Sequence, residues 1–557
     1  MPSYADLSNE VWVGAGGAVT FIPESHIYLG AEITYTNDGS EPFGSTITKT
    51  NTDFEMVPNI YTGCTIKIHN ASVTQFAVIK SNTETTLELA EIVNTGITSG
   101  NAETKAWILP FGAPCPAPEP ATNAANETSL LADNWLGLVN TFSPPNVEVE
   151  MGQLNLALAG TRNFRMQFKK GESVSGGSLD VSMSHGAWLY YALGKIGSVS
   201  HNATSTALSG STAANTIVTS GDDKTDFYRV LSDGNARNAF PPTNLADGAL
   251  FHVGTPHITY TFTESNGQEL PSFALEMTLE KEGIDAANYY VGSNNRSDSD
   301  AGGNVTDDTN TTSGTFNTSN DEIFCRVFTG CQVNSTTINF EEGQEVKQTL
   351  DLVTRRAFDV PNGYSPKRNV RTGTKDDLDN FCNYLPHEST RSAALKDRDK
   401  QPYMFSSGEL TVFGNTVSRV KSGSITINNN IGQHRFIGNY DREITSAHIP
   451  AQRTYEISLT MLVTDSDLWN DMRAKSGENL GAATKIKVRF SKDGTFDNAQ
   501  VDDYISLEFQ DFMTQSVEFP FPDDKGPIEV NVTFSARTLS NAMYSGPWVI
   551  LNQENNN

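Results

Sequence analysis

The sequence predicts a mainly β protein: two tandem copies of one domain, each with a flanking helix, plus a small inserted β module. Two observations carry this. The first is a repeated hairpin. Residues 334–357 read NSTTINFEEGQEVKQTLDLVTRRA, and residues 515–537 read QSVEFPFPDDKGPIEVNVTFSAR. In each, an alternating run (Thr336, Ile338, Phe340; Val517, Phe519, Phe521) meets an acidic turn containing Gly343 or Gly526. A second alternating run follows (Val346, Leu350, Leu352; Ile528, Val530, Val532, Phe534). Alternation with period two turns one face of each strand to a core, and the Asp/Glu/Gly turn joins the runs as an antiparallel hairpin. The second observation is order. SLDVSM at 178–183 matches TYEISL at 454–459, and each precedes a helical segment, at 187–194 and 465–472. Strand pairs follow at 257–280 and 484–512, then the hairpins. A pattern repeated in the same order is the mark of duplication.

Taken in order, residues 1–30 carry a terminal strand around a Gly-rich kink, able to pair with the body or with a neighbouring subunit. Residues 31–109 hold short strands at 60–68, 75–80 and 85–92 and form the inserted module, an exposed decoration. Residues 110–133 are a Pro/Ala-rich linker that stays extended. Residues 134–357 are the first repeated domain. Its helix starts at Ser184-His185-Gly186, which cap the first amides, and places Trp188, Tyr191 and Ala192 on one sheet-covering face. Within it, 198–236 is a surface excursion. The stretch 288–320 is an exposed loop, because its Asn, Asp, Ser, Thr and Gly lack the apolar mass to offset the entropy of ordering. Residues 358–402 are a charged inter-domain linker, residues 403–545 the second repeated domain, and 546–557 a polar tail.

The 557 residues carry a formal charge of −27. A surface that grips nucleic acid needs clustered Lys and Arg, so this balance argues against one. A negative wall instead repels phosphate and lets a duplex slide, although plain solubility also explains the acidity. No apolar run approaches the roughly 20 residues that span a bilayer, and the N-terminus shows no secretory signal, so synthesis is expected in the cytoplasm. The five cysteines, at positions 64, 115, 325, 331 and 382, form no CxxC and read as free thiols. There is no phosphate loop, dinucleotide fingerprint, HExxH or GxSxG. The nine histidines are scattered, and the paired acids sit in solvated hairpin turns. Catalytic, cofactor and metal residues are accordingly expected to be none.

The segments SMSHGAWLYYALG (182–194), LPSFALEMTLEKE (270–282), GCQVNSTTINFEEGQEVKQTLDLV (330–353), VKSGSITINNNI (420–431) and GPIEVNVTFSA (526–536) are similar to tail tube proteins of long-tailed bacteriophages or archaeal viruses. The resemblance covers roughly 130–545. It implies β-sandwich domains flanked by a helix, whose inner sheets join into a barrel around a channel. Six domains make a ring and rings stack into a tube. A two-domain chain implies a trimeric pseudo-hexamer, a hexamer being the alternative. The implied partners are the chain itself, a tail terminator, baseplate proteins, a sheath where the tail has one, and genomic DNA passing without specific binding. The implied place is the virion tail, with no membrane insertion. The candidate lumen or ring-interface residues are Thr336, Asn339, Glu341, Lys347, Thr349, Asp351, Gln515, Glu518, Asp523, Asp524, Glu529 and Asn531. Alternation leaves open which face is inward. Another virion protein (a terminator, hub or spike) and a carbohydrate-binding β-sandwich are the competing readings.

Overall fold

The computed structural model describes residues 17–113, 138–154, 166–201, 258–280, 323–359, 401–462, 485–518 and 527–546, with short gaps inside these ranges. The loop 288–320, the acidic pair Asp523 and Asp524, most of both linkers and the expected second helix at 465–472 lie outside the described residues.

The chain opens with β1 (Gly17–Pro23). Seven strands follow: β2 (Ile27–Ala31), β3 (Thr34–Asp38), β4 (Gly44–Thr48), β5 (Thr65–Asn70), β6 (Val73–Asn82), β7 (Thr86–Leu89) and β8 (Thr104–Ile108). They form a separate sheet in the order β2-β8-β5-β6-β7-β4-β3. Alternation in β5 and β7 buries Ile66, Ile68, Leu87 and Leu89.

The main body follows. Its first half contains β9 (Leu138–Ser143), β10 (Asn146–Leu154), β11 (Met166–Ser175), β12 (Ser178–Ser182), α1 (Ala187–Leu193), β13 (Gly194–His201), β14 (Ile258–Glu264), β15 (Phe273–Glu280), β16 (Ile323–Glu341), β17 (Lys347–Val353) and β18 (Arg356–Asp359). Its second half contains β19 (Gly408–Val412), β20 (Asn415–Thr416), β21 (Val420–Asn428), β22 (Ile431–His434), β23 (Ala447–Pro450), β24 (Thr454–Leu462), β25 (Ile486–Ser491), β26 (Tyr504–Glu518) and β27 (Glu529–Gly546).

One sheet runs through both halves, and its path includes β26-β27-β24-β21-β16-β17-β12-β9. The joint between halves is antiparallel β16 against β21, with Ser335 opposite Asn428 and Glu341 opposite Ser422. Each half therefore contributes four strands in the same order: β9-β12-β17-β16, then β21-β24-β27-β26.

The irregularities also repeat. In β12–β9, Asp180 faces Thr141 and Val181 faces Val139, so Asn140 bulges out. In β21–β24, Ser422 faces Thr460 and Val420 faces Met461, so Lys421 bulges out. In the two hairpins the bulged residues are Asn334 and Gln515, which open the two repeated stretches in the sequence. A bulge bends its strand and raises its twist. Next to the Asn334 bulge, β16 leaves its pairing with β17 and β21 and enters a second layer, paired with β15 and β18. Aligned by bulges, Ser178 matches Ser458 rather than the Thr454 expected from sequence. The period of two explains the slip, since every even shift preserves the alternation.

The helix also differs from expectation. All seven residues of α1 are buried, so it is a core element rather than an amphipathic cover. Trp188 and Tyr191 meet Phe273 at ring-centroid distances of 5.4 and 5.1 Å. Gly186 lies so close to β27 that an added Cβ would stand 2.5 Å from Cβ of Tyr544. His185 Nδ1 accepts the Ala187 amide at 3.2 Å, the helix-start role its position suggests. The terminal strand β1 pairs with β15 of the same chain. Cys64 and Cys331 are buried free thiols.

Phe340 plugs the seam between halves. It packs on Phe490 at 5.2 Å and near Phe405 at 6.4 Å, and its ring covers Gly423, where a Cβ would stand 2.4 Å from Phe340 Cζ. We expect Phe340→Ala to cost about 3–5 kcal/mol and Gly423→Val about 1–3 kcal/mol. Denaturant melts of each variant measure both.

Candidate functional site: the polar face of the shared sheet

The strands of the eight-stranded path turn one face to the core and the other to a continuous polar surface. The rows of that surface cross the seam without interruption. One row is Thr141, Asp180, Thr349, Thr337, Thr426, Glu456 and Ser535, each opposite the next. A second is Lys347, Asn339, Ser424, Ser458, Thr533 and Ser516. A third is Glu341, Ser422, Thr460, Asn531 and Glu518. The surface is concave, with a trough of 630 Å³ lined by Asn339, Glu341, Lys347, Ser424, Ser458 and Asn531 among others.

Short side chains on this face bond to their cross-strand neighbours. Thr349 donates to Asp180 at 3.0 Å, Ser335 to Asp351 at 2.6 Å, and Thr460 to Asn531 at 2.9 Å. Thr337 and Thr426 share a 3.1 Å bond across the seam. Lys421 pairs with Glu529 at 2.5 Å, an exposed pair of small energetic weight. Asp180, Glu341, Asp351, Glu456 and Glu518 add negative charge to a surface of hydroxyls and amides. Such a face presents no cluster of cations to a phosphate backbone.

Of the residues singled out by sequence, Asn339, Glu341, Lys347, Thr349, Asp351, Glu518, Glu529 and Asn531 share this face. Thr336 does not. It is fully buried on the core side and accepts from Gln348 Nε2 at 3.0 Å. Gln515 is the hairpin bulge rather than a member of a row. Sequence reasoning missed Asp180, Ser424, Thr426, Glu456 and Ser458, because it looked only in the hairpins. Their signal was the alternation in KSGSITIN and TYEISLTML.

The two halves are clasped above the seam. The bulged Asn334 accepts the Asn429 amide on its carbonyl at 2.7 Å and the Ile431 amide on Oδ1 at 2.8 Å. Asn429 Nδ2 donates to the carbonyls of Ala192 and Val333 at 3.0 and 2.9 Å. The β22–β23 hairpin then lies over the first half as an arm. Its Gln433 donates to the Thr354 carbonyl at 2.8 Å. Its His448 reaches Gln332 Oε1 through Nδ1 at 3.0 Å and packs edge-on against Phe111 at 4.9 Å.

Beneath the arm lies a buried node that ties the seven-stranded sheet to the body. Glu24 accepts from Ser272 Oγ at 2.5 Å and from the amides of Gly112 and Gly330 at 2.6 and 2.8 Å. Burial raises its carboxyl above the ordinary value, against the pull of these bonds and of Arg355. Arg355 Nη1 meets Cys64 Sγ at 3.1 Å.

Burial, with the Arg355 charge, lowers His448 from 6.5 to about 3. The folded chain therefore keeps this imidazole neutral where the unfolded chain protonates it. Its contribution to stability is complete above about pH 6.5 and declines as pH falls towards 3. Thermal melts between pH 7 and pH 4 should show the wild-type midpoint falling more steeply than that of His448→Gln; parallel slopes would contradict the assignment.

The family described as phage tail tube protein matches residues 122–536. No curated protein matches the chain. Two solved structures similar to parts of it are the tube-terminating cap of the anti-feeding prophage and the SPP1 tail tube. The cap is 16% identical, with 26% of this chain and 91% of the cap covered at a TM-score of 0.19. The SPP1 tail tube is 10% identical, with 26% of this chain and 77% of that chain covered at a TM-score of 0.17. At these scores the two likenesses carry no weight for function.

Proposed function

Because the chain belongs to the phage tail tube protein family, we propose that its two half-sheets are duplicated tube domains and that three copies close into a pseudo-hexameric ring. It is a structural subunit of a viral tail tube, placed in the virion tail. The observation that supports the ring is the sheet itself. Inside one chain, the outer edge of β16 is taken by β21. The matching outer edge of β26 beyond Phe509 and the matching edge of β9 have no strand beside them among the described residues. Each chain thus carries one completed joint and the two halves of another.

Joining β26 of one copy to the β9–β10 edge of the next follows the internal joint, except that Pro144 and Pro145 have no amide to donate. The register follows from the bulges: Ser516 and Val517 take the places of Ser335 and Thr336, and meet Val147 and Asn146 of the neighbour. Free strand edges template aggregation, and a closed barrel removes them. The contact is head-to-tail, and a ring of six domains closes when the rotation recurring at every domain is about a sixth of a turn. The concave polar face becomes the channel wall. Its acidic and hydroxyl side chains let DNA pass without adhering. The chain makes no chemical step in this role. The seven-stranded sheet decorates the outside, and the ends of the tube meet a terminator and a baseplate.

Negative-stain microscopy of purified protein over a concentration series tests the ring. The expected images are hollow stacks whose rotational averages have threefold symmetry with a sixfold inner wall. Rings of six chains, or a monomer that persists at high concentration, would overturn the reading.

A further inference from the structure

The hairpin β10–β11 is the first half's counterpart of the arm β22–β23. Counting along both strands from the bulges Asn140 and Lys421 brings Gly152, paired with Phe168, onto Gln433, paired with His448. The second-half arm has its seat inside the chain, on Gln332 and Asn334. The first-half arm has no such seat among the described residues, and its large apolar side chains are open. Phe168 is 40% exposed and Met166 55%. The position matching Gln332, counted from the bulges Asn334 and Gln515, is Met513. It is 59% exposed, on a face that is otherwise polar.

We infer that the β10–β11 arm of each copy lies across the second half of the next copy, with Phe168 seated on Met513. This rests on the ring proposed above and adds the contact that locks it. The occupant is a second copy of this chain, because the internal arm defines the geometry and the exposed residues complete it. Where the halves of one chain meet, the contact is polar: His448 on Gln332. Where two copies meet, the same two positions are Phe168 and Met513. A second pair changes the same way. Arg435 of the internal arm bonds Glu150 at 3.2 Å, and the matching positions between copies are Leu154 and Ile431. Gln515 takes the part of Asn334, its carbonyl and side-chain oxygen receiving the amides of Glu148 and Glu150 of the neighbour.

The exchange has a physical reason. The internal contact forms once, within a folding chain, and its buried polar groups find fixed partners. The contact between copies must draw separate molecules together, and burial of apolar surface supplies that drive. An arm left unseated exposes Leu154, Met166 and Phe168 on one face, apolar surface that burial against a neighbour would remove from water.

The test introduces opposite charges at the two positions and reads assembly. Phe168→Asp and Met513→Lys are surface changes, so melts should match the wild type while the concentration needed for ring formation rises about tenfold. The double variant should recover much of the loss. In parallel, Phe168→Cys with Met513→Cys should be joined by a short bis-maleimide into a ladder ending at the trimer, and neither single variant nor the wild type should give that ladder. Tubes that form normally in Phe168→Asp, or a double-cysteine variant that assembles without cross-linking, would overturn the arm contact and leave the tube standing. Absence of any assembly in the wild type would overturn both.

Discussion

Everything in this chain depends on the pairing of β16 with β21. An antiparallel joint of seven residue pairs carries the sheet from the first half into the second. It fixes the curvature of the polar face, because both halves bend at bulges in the same places. It also buries Phe340 against second-half aromatics, so that the seam is packed as well as hydrogen-bonded. A strand edge is an unsatisfied row of donors and acceptors. In the proposed ring, satisfying one edge inside the chain while leaving its equivalents outside converts a folding interaction into an assembly rule.

The division of labour between faces follows from alternation alone. One face of each strand carries Ile, Val, Leu and Phe and closes over α1 and the second layer. The other carries Ser, Thr, Asn and acids, which bond to one another across strands. A channel wall needs no pocket and no catalytic group. It needs an even surface that holds its shape without clustering cations against phosphate. The cross-strand hydroxyl and carboxylate bonds hold these side chains in place, and their repetition over both halves keeps the proposed wall uniform.

Much of this was legible in the sequence because it depends on local pattern. The repeated hairpins, the acidic turn at Gly343 and the alternating cores of β17 and β27 are all readable from period two. What was not legible was set by distant partners. Asn140 and Lys421 have nothing in common chemically, yet both are bulges, since a bulge is a property of the pairing and not of the residue. The degeneracy of alternation let Ser178 slide onto Thr454. Thr336 is among the candidate lumen or ring-interface residues, but its place in the alternation, between buried neighbours of β17 and β21, sends it to the core. The helix was read as amphipathic, although AWLYYAL has no polar side to offer, and it is buried all round by elements far away in the chain.

The most direct measurement is amide hydrogen exchange on the dispersed chain and on the assembled protein. The internal joint, 335–341 with 422–428, should be protected in both states. Residues 516–518 and the outward amides of 138–147 should exchange quickly in the dispersed chain and slow by orders of magnitude on assembly, as ladder hydrogen bonds form. Unchanged exchange at both edges in assembled material would mean that the sheet does not continue from copy to copy, and the account would fail at its centre.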